Sequence, residues 1–380
     1  MGRYNIKNRP LLTAERERRR ELLFLTTLVV CAVAPRGANP CFLLALGCGA
    51  LLARQRAAEA RLASQGVRWD PPAICGLDRI VLLKGVEGVW NLLHLSLSDI
   101  RRIARRLLPA QVELGGHYGS VKRVDALATL LLRLVDPGTL LAHEELIGFP
   151  DFKQSAIIHA TARLLVVQHG HILHSPTWLT PARLASYASA ISQNGSPTRT
   201  VVGFIDGTRR PTTHPDRFQN VFYNGWKHIH NLLFISIAFP DGTFLLRGPV
   251  GGHQNDVGAL NATSLARDLP RLFGLWRIGG DGGFPASSGI ISISLFINAG
   301  ALGLARMFAS SRVAVEWLFA DITNNFRFLQ YKTGQKIHQT EPAVIYTAAA
   351  VLALARTTIH HNELSGYFHI SPPSFEEIFH

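Results

Sequence analysis

Two short apolar runs in the middle of the chain each end in an aspartate followed by glycine. The first run is Val201–Ile205, which leads into Asp206, and the second is Trp276–Gly280, which leads into Asp281. An apolar run of this length beside a turn residue predicts a buried strand. We therefore expect each aspartate to lie at the edge of a sheet, directly after its strand.

A hairpin is predicted between these two strands. The apolar runs Asn231–Phe239 and Thr243–Val250 flank the turn sequence Pro240-Asp241-Gly242. Turn residues between two apolar runs are typical of an antiparallel strand pair. The order of elements is thus strand, hairpin, helix and strand.

A helix is predicted after the second aspartate, over Val313 to about Phe328. Its apolar stripe would pack the helix onto the sheet, and consists of Val315, Leu318, Phe319 and Ile322. Glu316 lies at the border of this stripe, so we expect it to face Asp206 and Asp281. A further apolar helix is predicted over Ala343–Ile359.

The preceding part of the chain, from Leu95 to about His174, has helical periodicity. Four segments are predicted as helices: Ser98–Leu108, Val124–Val135, Thr139–Ile147 and Asp151 to about Gln168. The last two form a pair around Gly148-Phe149-Pro150. If the second helix of this pair contacts DNA, the polar side chains that it offers are Lys153, Gln154, Ser155 and Arg163. The alternative is that these helices form a bundle that only supports the sheet.

The clearest linker composition in the chain is Ser192–Pro197, which indicates a domain boundary. We predict a basic tail with apolar helices over 1–70 and an all-α domain over 71–195. The α/β domain, a mixed central sheet flanked by helices, is predicted over 196–365. Residues 366–380 are predicted as a C-terminal capping tail, in which Ser374 and Glu377 can form a capping box.

The composition is that of a folded, basic protein. The 380 residues are 47% hydrophobic and 17% charged, and the net charge is +13. Such an excess of Lys and Arg favours a polyanionic partner such as DNA. The four cysteines, at 31, 41, 48 and 75, have no zinc-site spacing, which favours a reducing compartment without structural disulfides.

The N-terminal segment allows more than one interpretation. Its apolar runs, Leu22–Ala34 and Cys41–Ala53, are each shorter than the roughly 20 residues that span a bilayer. We interpret them as two helices that pack on the rest of the protein, so that no membrane is expected. A secretory signal is the alternative for the first run. The basic cluster Arg16–Arg20 fits a nuclear-import signal, a phosphate-contacting arm or a solvated surface.

Asp206, Asp281 and Glu316 are the candidate catalytic and metal-binding residues. Hard divalent cations such as Mg²⁺ and Mn²⁺ take oxygen ligands, and two such ions can assist an in-line phosphoryl displacement. Each acid also has a simpler explanation. Both aspartates precede glycine and could be turn residues, and Glu316 could pair with Arg312 one helical turn earlier.

Five motifs in order resemble the PIF/Harbinger-type DDE transposases and the nucleases derived from them. The motifs are Phe204-Ile-Asp206-Gly-Thr208, Phe222–His230, Gly251–Asp256, Gly280–Pro285 and Arg312–Phe319. The resemblance covers roughly 95–380. It implies a ribonuclease H-like nuclease domain after a helical domain with a helix-turn-helix-like unit. It also implies metal-dependent cleavage of DNA with Asp206, Asp281 and Glu316 as the triad, nuclear action in a eukaryotic cell and a Myb-like DNA-binding partner.

The resemblance also suggests candidate substrate contacts at Lys227, His230 and Arg312. Asp256 is explained equally well as the cap of the helix that begins there. The histidines of this region lack the spacing of a zinc site. The protein could also form a homo-oligomer.

One segment departs from the family pattern, because 286–304 carries no charged residue. This departure favours an alternative in which the chain is an inactive derivative of a transposase that binds DNA or protein.

Overall fold

The computed structural model describes residues 74–115, 118–287, 289–337 and 339–380. The two predicted apolar helices within 22–53 and the basic cluster at Arg16–Arg20 lie outside the described residues. The helices below are numbered α1 to α14 and the strands β1 to β8 in chain order.

The first described part of the chain is helical. Its helices are α1 (Leu77–Leu93), α2 (Leu97–Leu107), α3 (Arg123–Val135), α4 (Leu140–Ile147), α5 (Asp151–His169) and α6 (Pro181–Gln193). A small antiparallel pair, β1 (Gln111–Glu113) and β2 (Ser120–Lys122), lies between α2 and α3. The four helices predicted between residues 98 and 168 are therefore confirmed to within one or two residues at each end.

A mixed sheet follows, and among the described residues it has six strands. They are β3 (Val201–Pro211), β4 (Tyr223–Asn224), β5 (Ile229–Ala238), β6 (Phe244–Gly251), β7 (Arg277–Gly280) and β8 (Ile290–Ser292). The order is β4-β5-β3-β7-β8, and β6 also pairs with β5. Strand β5 is antiparallel to β3, β4 and β6, whereas β7 is parallel to β3 and β8 is parallel to β7. The predicted hairpin is confirmed as β5 and β6.

The remaining helices flank this sheet. They are α7 (Gln219–Phe222), α8 (Asp256–Ala262), α9 (Leu265–Phe273), α10 (Ile293–Asn298), α11 (Leu302–Asn325), α12 (Pro342–His360), α13 (Glu363–Phe368) and α14 (Phe375–Ile378). A mixed sheet flanked by helices is compatible with the ribonuclease H-like fold that the resemblance implies.

The side chains of β3 and β5 alternate between two apolar layers. Ile205 and Leu233 belong to a buried cluster that also contains residues of α6, α8 and α9. On the other face, the ring of Phe204 contacts that of Phe308 on α11, with centroids 6.2 Å apart. This alternation is the expected result of a strand buried on both faces.

Helix α12 covers the α11 side of the sheet. The ring of Tyr346 on α12 lies 4.6 Å from that of Phe234 on β5, measured between centroids. The helix is long and apolar enough to cross a membrane, but 78% of its apolar window is buried within the protein. It is therefore a core helix of this fold, and it corresponds to the apolar helix predicted over Ala343–Ile359.

The predicted limits of β3 and α11 are wrong. These two elements carry the candidate catalytic residues Asp206 and Glu316. Strand β3 does not end at Ile205 but continues to Pro211, because residues 207–211 pair with residues 231–235 of β5. Asp206 therefore lies inside the strand and not at its end. Helix α11 begins at Leu302, eleven residues before the predicted Val313, and ends at Asn325.

The uncharged segment 286–304 extends the sheet. Its residues Ile290–Ser292 form β8, which pairs in parallel with β7 so that Ile290 lies opposite Ile278. Both isoleucines are buried. An apolar sequence is what a parallel strand beside a buried neighbour needs, so the lack of charge has a structural reason here.

Helix α5, the candidate for contact with DNA, is largely internal. Gln154 is buried and donates hydrogen bonds to the carbonyl oxygens of Leu140 and Phe149, at 2.8 and 2.6 Å. Arg163 forms an ion pair with Glu341 at the start of α12. As placed, neither side chain can reach a DNA base.

The described parts of 74–114 and 120–380 belong to one compact unit. The segment of linker composition, Ser192–Pro197, begins in the last two residues of α6 and continues into the connection between α6 and β3. The proposed domain limits at 70, 195 and 365 stay predictions. In the C-terminal tail, the predicted capping box is confirmed, since Ser374 and Glu377 cap α14 reciprocally.

Candidate active site

Asp206 and Asp281 lie on neighbouring parallel strands. In the β3–β7 register, Phe204 is opposite Gly279. Asp206 and Asp281 each follow two residues later, so the register brings the two aspartates to the same level of the sheet. Asp281 directly follows β7, as the sequence predicts.

The carboxylate of Asp206 is mostly withdrawn from water. Its side chain is 21% exposed, and one oxygen accepts a hydrogen bond of 2.8 Å from the Gly207 amide. Burial raises the pKa of Asp206 to about 6, against the opposing effects of the Gly207 amide and of Arg312. The charges of Asp281 and Asp256 contribute to this raised pKa. The fold therefore holds this carboxylate at a cost in free energy.

We expect Asp206→Asn to stabilise the protein at neutral pH, because Asn resembles the protonated aspartate. The folded-state pKa is above the ordinary 3.8, so ionisation costs stability as pH rises from about 4 through about 6. The full shift corresponds to at most about 3 kcal/mol in the free energy of unfolding. Denaturant unfolding in EDTA should show this gain at pH 7.5 and none near pH 4. Equal stability of the two proteins at pH 7.5 would contradict the prediction.

The Asp281 carboxylate is held by the turn that follows β7. One oxygen accepts a hydrogen bond of 2.9 Å from the Gly283 amide. The backbone carbonyl of Asp281 accepts a hydrogen bond of 2.8 Å from the Ser292 hydroxyl, at the end of β8. The uncharged segment thus helps to position the second aspartate.

Asp256, at the first turn of α8, is a third aspartate of this site. The helix is capped by Asn255, whose side chain accepts a hydrogen bond from Gly258, so the capping explanation for Asp256 is wrong. One carboxylate oxygen lies where a side chain at Gly207 would begin, and the other is 3.8 Å from the corresponding position at Gly283. Burial raises the pKa of Asp256, and the charge of Asp281 adds to the effect.

Arg209 fixes the segment that carries Asp256. Its guanidinium donates hydrogen bonds of 3.0 Å to the carbonyl oxygens of Gly252 and Gln254. It also lies 3.7 Å from Asp256 Oδ1. The sequence signal for Asp256 was its position in the Gly251–Asp256 motif, but only the fold shows that this loop returns to β3.

Glu316 has a different environment from the three aspartates. Its side chain is 59% exposed, and Oε1 lies 3.6 Å from Arg312 Nη2. Arg312 Nη1 lies 3.6 Å from Asp206 Oδ2 and is buried without a hydrogen bond. The guanidinium therefore lies between Asp206 and Glu316. The i, i+4 contact considered for Glu316 is present, and the contact of Arg312 with Asp206 was not predicted.

The carboxylate oxygens of this site are of the chemical type that binds a hard divalent cation, but they are not spaced as the ligands of one ion. Carboxylate oxygens are the ligands that Mg²⁺ and Mn²⁺ prefer. However, no three His, Cys, Asp or Glu side chains in the described ranges are arranged to hold a metal ion. The cation between Asp206 and Glu316 is instead Arg312. The residues as arranged do not fit a metal, so we derive no chemical step through one.

Lys227 and His230, two candidate substrate contacts, belong to the β4–β5 hairpin. Lys227 is in the loop, and its charge is close enough to lower the pKa of Asp256, although burial and other charges have larger effects. His230 lies opposite Tyr223 in the strand pair. The hairpin therefore lies on the Asp256 side of the site.

Comparison with known proteins agrees with this geometry. Residues 205–353 match the family model described as DDE superfamily endonuclease. The matched segment contains Asp206, Asp256, Asp281 and Glu316, and includes β3 to β8 except for the first residues of β3. No match was found among curated proteins or solved structures. The matched segment covers less than half of the chain, and over these residues the chain is similar to DDE superfamily endonucleases. That family generally depends on a divalent metal.

Proposed function

We propose that this protein is a DNA endonuclease of the transposase type, which hydrolyses phosphodiester bonds. Its dependence on Mg²⁺ or Mn²⁺ is proposed from the resemblance alone, because the carboxylates as arranged form no metal site among the described residues. The observation that carries the proposal is the pair Asp206 and Asp281 at one level of adjacent parallel strands, within the matched segment. The raised pKa of Asp206, caused first by burial, supports it. A desolvated carboxylate beside like charges is typical of a functional site.

Further parts of the proposal rest on the resemblance. We propose the PIF/Harbinger type as the subfamily, Asp206, Asp281 and Glu316 as the catalytic triad, and strand transfer as a second activity. DNA is the proposed substrate, and the net charge of +13 supports a polyanion. Action in the nucleus together with a Myb-like partner is the corresponding cellular proposal.

The test is nicking of supercoiled plasmid by the purified full chain. We expect nicked product with Mg²⁺ or Mn²⁺, none in EDTA, and none from Asp206→Asn or Asp281→Asn. Asp78→Asn is the matched control, because Asp78 is an exposed residue of α1 outside the matched segment. Nicking that persists in both site variants would indicate a contaminating nuclease and would count against the proposal.

A second candidate function is that of an inactive derivative that binds DNA. The contact of Arg312 with both Asp206 and Glu316 favours it, because an internal cation already neutralises these acids. A folded protein that binds DNA but does not nick it under any metal condition would support this candidate.

A further inference from the structure

The β4–β5 hairpin presents an exposed tryptophan beside the candidate active site. Trp226 is 87% exposed, a value matched among the large apolar side chains of the described residues only by Leu275. Tryptophan gains a large amount of free energy from burial or stacking. A single exposed apolar residue needs no explanation by itself, so the surroundings of Trp226 decide its meaning.

The loop that carries Trp226 is held in one conformation. Tyr223 and Asn224 pair with His230 and Ile229, which leaves residues 225–228 as the loop. The Asn224 side chain accepts a hydrogen bond of 2.8 Å from the Lys227 amide and donates one of 2.9 Å to the Gly252 carbonyl. A side chain presented by a fixed loop loses little conformational entropy on binding.

The same hydrogen bonds connect the hairpin to the acids. The Gly252 carbonyl that accepts from Asn224 also accepts from Arg209 at 3.0 Å. Arg209 in turn lies 3.7 Å from Asp256. The charge of Lys227 is close enough to act on Asp256. Trp226 lies between Gly225 and Lys227, in the loop whose neighbouring residues Asn224 and Lys227 are connected to Asp256 in this way.

The residues around Trp226 favour nucleic acid over protein. His230 contacts the rings of His214 and Tyr223, with centroids 4.8 and 5.2 Å away. Lys227 and Lys332 are exposed, and the charge of Lys332 reaches His230. Cations interleaved with aromatic rings are the features that bind single-stranded nucleic acid, because the cations contact phosphates and the rings stack on bases.

We infer that Trp226 stacks on an unpaired base of DNA next to the bond that is cleaved. The inference rests on the proposed function, because it takes the aspartates as the place of cleavage. Within a duplex both faces of each base are covered by neighbouring pairs. An aromatic side chain at a loop tip can therefore stack only on a base at a strand end, a nick or a single-stranded stretch.

The test compares binding of a labelled single-stranded oligonucleotide and a duplex of equal length, by fluorescence anisotropy with the full chain in EDTA. We expect Trp226→Ala to weaken single-strand binding by about 10-fold and duplex binding by less than about 2-fold. Trp226→Phe should restore most of the single-strand affinity, because phenylalanine also stacks. Leu275→Ala is the matched control, since Leu275 is equally exposed but precedes β7, at the end opposite Asp281.

Lys227→Gln separates charge from stacking. It should weaken single-strand and duplex binding alike and reduce the salt dependence by about one phosphate contact, whereas Trp226→Ala should leave the salt dependence unchanged. Equal affinities of Trp226→Ala and the unaltered protein for the single strand would overturn the inference. So would a change of oligomeric state in Trp226→Ala without a change in DNA binding, which would indicate a protein contact.

The binding assay contains no metal, so its outcome is independent of nicking. Stacking by Trp226 in a protein that never nicks DNA would retain the inferred contact and reject the endonuclease. Nicking by the protein together with unchanged single-strand binding by Trp226→Ala would retain the endonuclease and reject the inferred contact.

Discussion

Asp256→Asn is expected to reduce plasmid nicking by about 100-fold or more, an effect comparable with that of Asp281→Asn. The reason is the position of the Asp256 carboxylate between Gly207 and Gly283, the residues that flank the other two aspartates. The charge of Asp281 acts on Asp256 as it acts on Asp206. We therefore expect Asp256 to contribute to the charge that the reaction requires.

Glu316→Gln is the informative comparison. Glu316 is 59% exposed, and the guanidinium of Arg312 lies between its carboxylate and that of Asp206. Initial nicking rates of both variants, with Asp78→Asn as the control, distinguish two assignments. An unchanged rate for Asp256→Asn together with loss of nicking in Glu316→Gln would restrict the site to Asp206, Asp281 and Glu316. It would leave Asp256 only as the partner of Arg209.

Glu341→Gln is expected to lower the free energy of unfolding by about 3–5 kcal/mol, because it removes the negative charge of a largely buried ion pair with Arg163. The side chains of Arg163 and Glu341 are only 13% and 14% exposed. They form two hydrogen bonds, of 2.9 and 2.5 Å, between α5 and the residue that precedes α12. His159 Nδ1 lies 3.7 Å from the same carboxylate. These three side chains link α5, in the helical part of the chain, to α12, which covers the sheet.

The pH dependence of this loss follows from the pKa of Glu341. Burial raises this pKa, but His159 and Arg163 together lower it to about 2, below the ordinary 4.5. A lowered pKa means that the ion pair stabilises the fold above about pH 4.5 and that this stability is lost as pH falls towards 2. In urea unfolding at pH 7, the free energy of unfolding of Glu341→Gln should therefore be clearly lower than that of the unaltered protein. This difference in free energy should decrease below pH 4.

Two further variants control this experiment. Glu376→Gln breaks an exposed pair with Arg102 and should leave the unfolding midpoint nearly unchanged. The double variant Arg163→Met with Glu341→Leu should recover much of the stability that Glu341→Gln loses, since neither charge remains buried alone. A Glu341→Gln protein as stable as the unaltered chain at pH 7 would contradict the prediction.

Much of the fold follows from local sequence. The apolar run of β7, the hairpin turn at Pro240-Asp241-Gly242 and the helices between 98 and 168 were predictable from periodicity and turn residues, because these signals act over a few neighbouring positions. The same holds for the capping box at Ser374. The order of the motifs also indicated the nuclease segment that the family match supports.

The tertiary structure decided which side chains meet. The sequence could not show that β3 continues past Asp206, because its last residues are polar and become a strand only by pairing with β5. It could not assign Gln154 and Arg163 to the interior, since their partners lie at Leu140, Phe149 and Glu341. Charge, composition and the spacing of motifs are properties of the chain. Desolvation and the approach of distant carboxylates depend on packing, and they alone brought Asp256 to the other two aspartates and separated Glu316 from them.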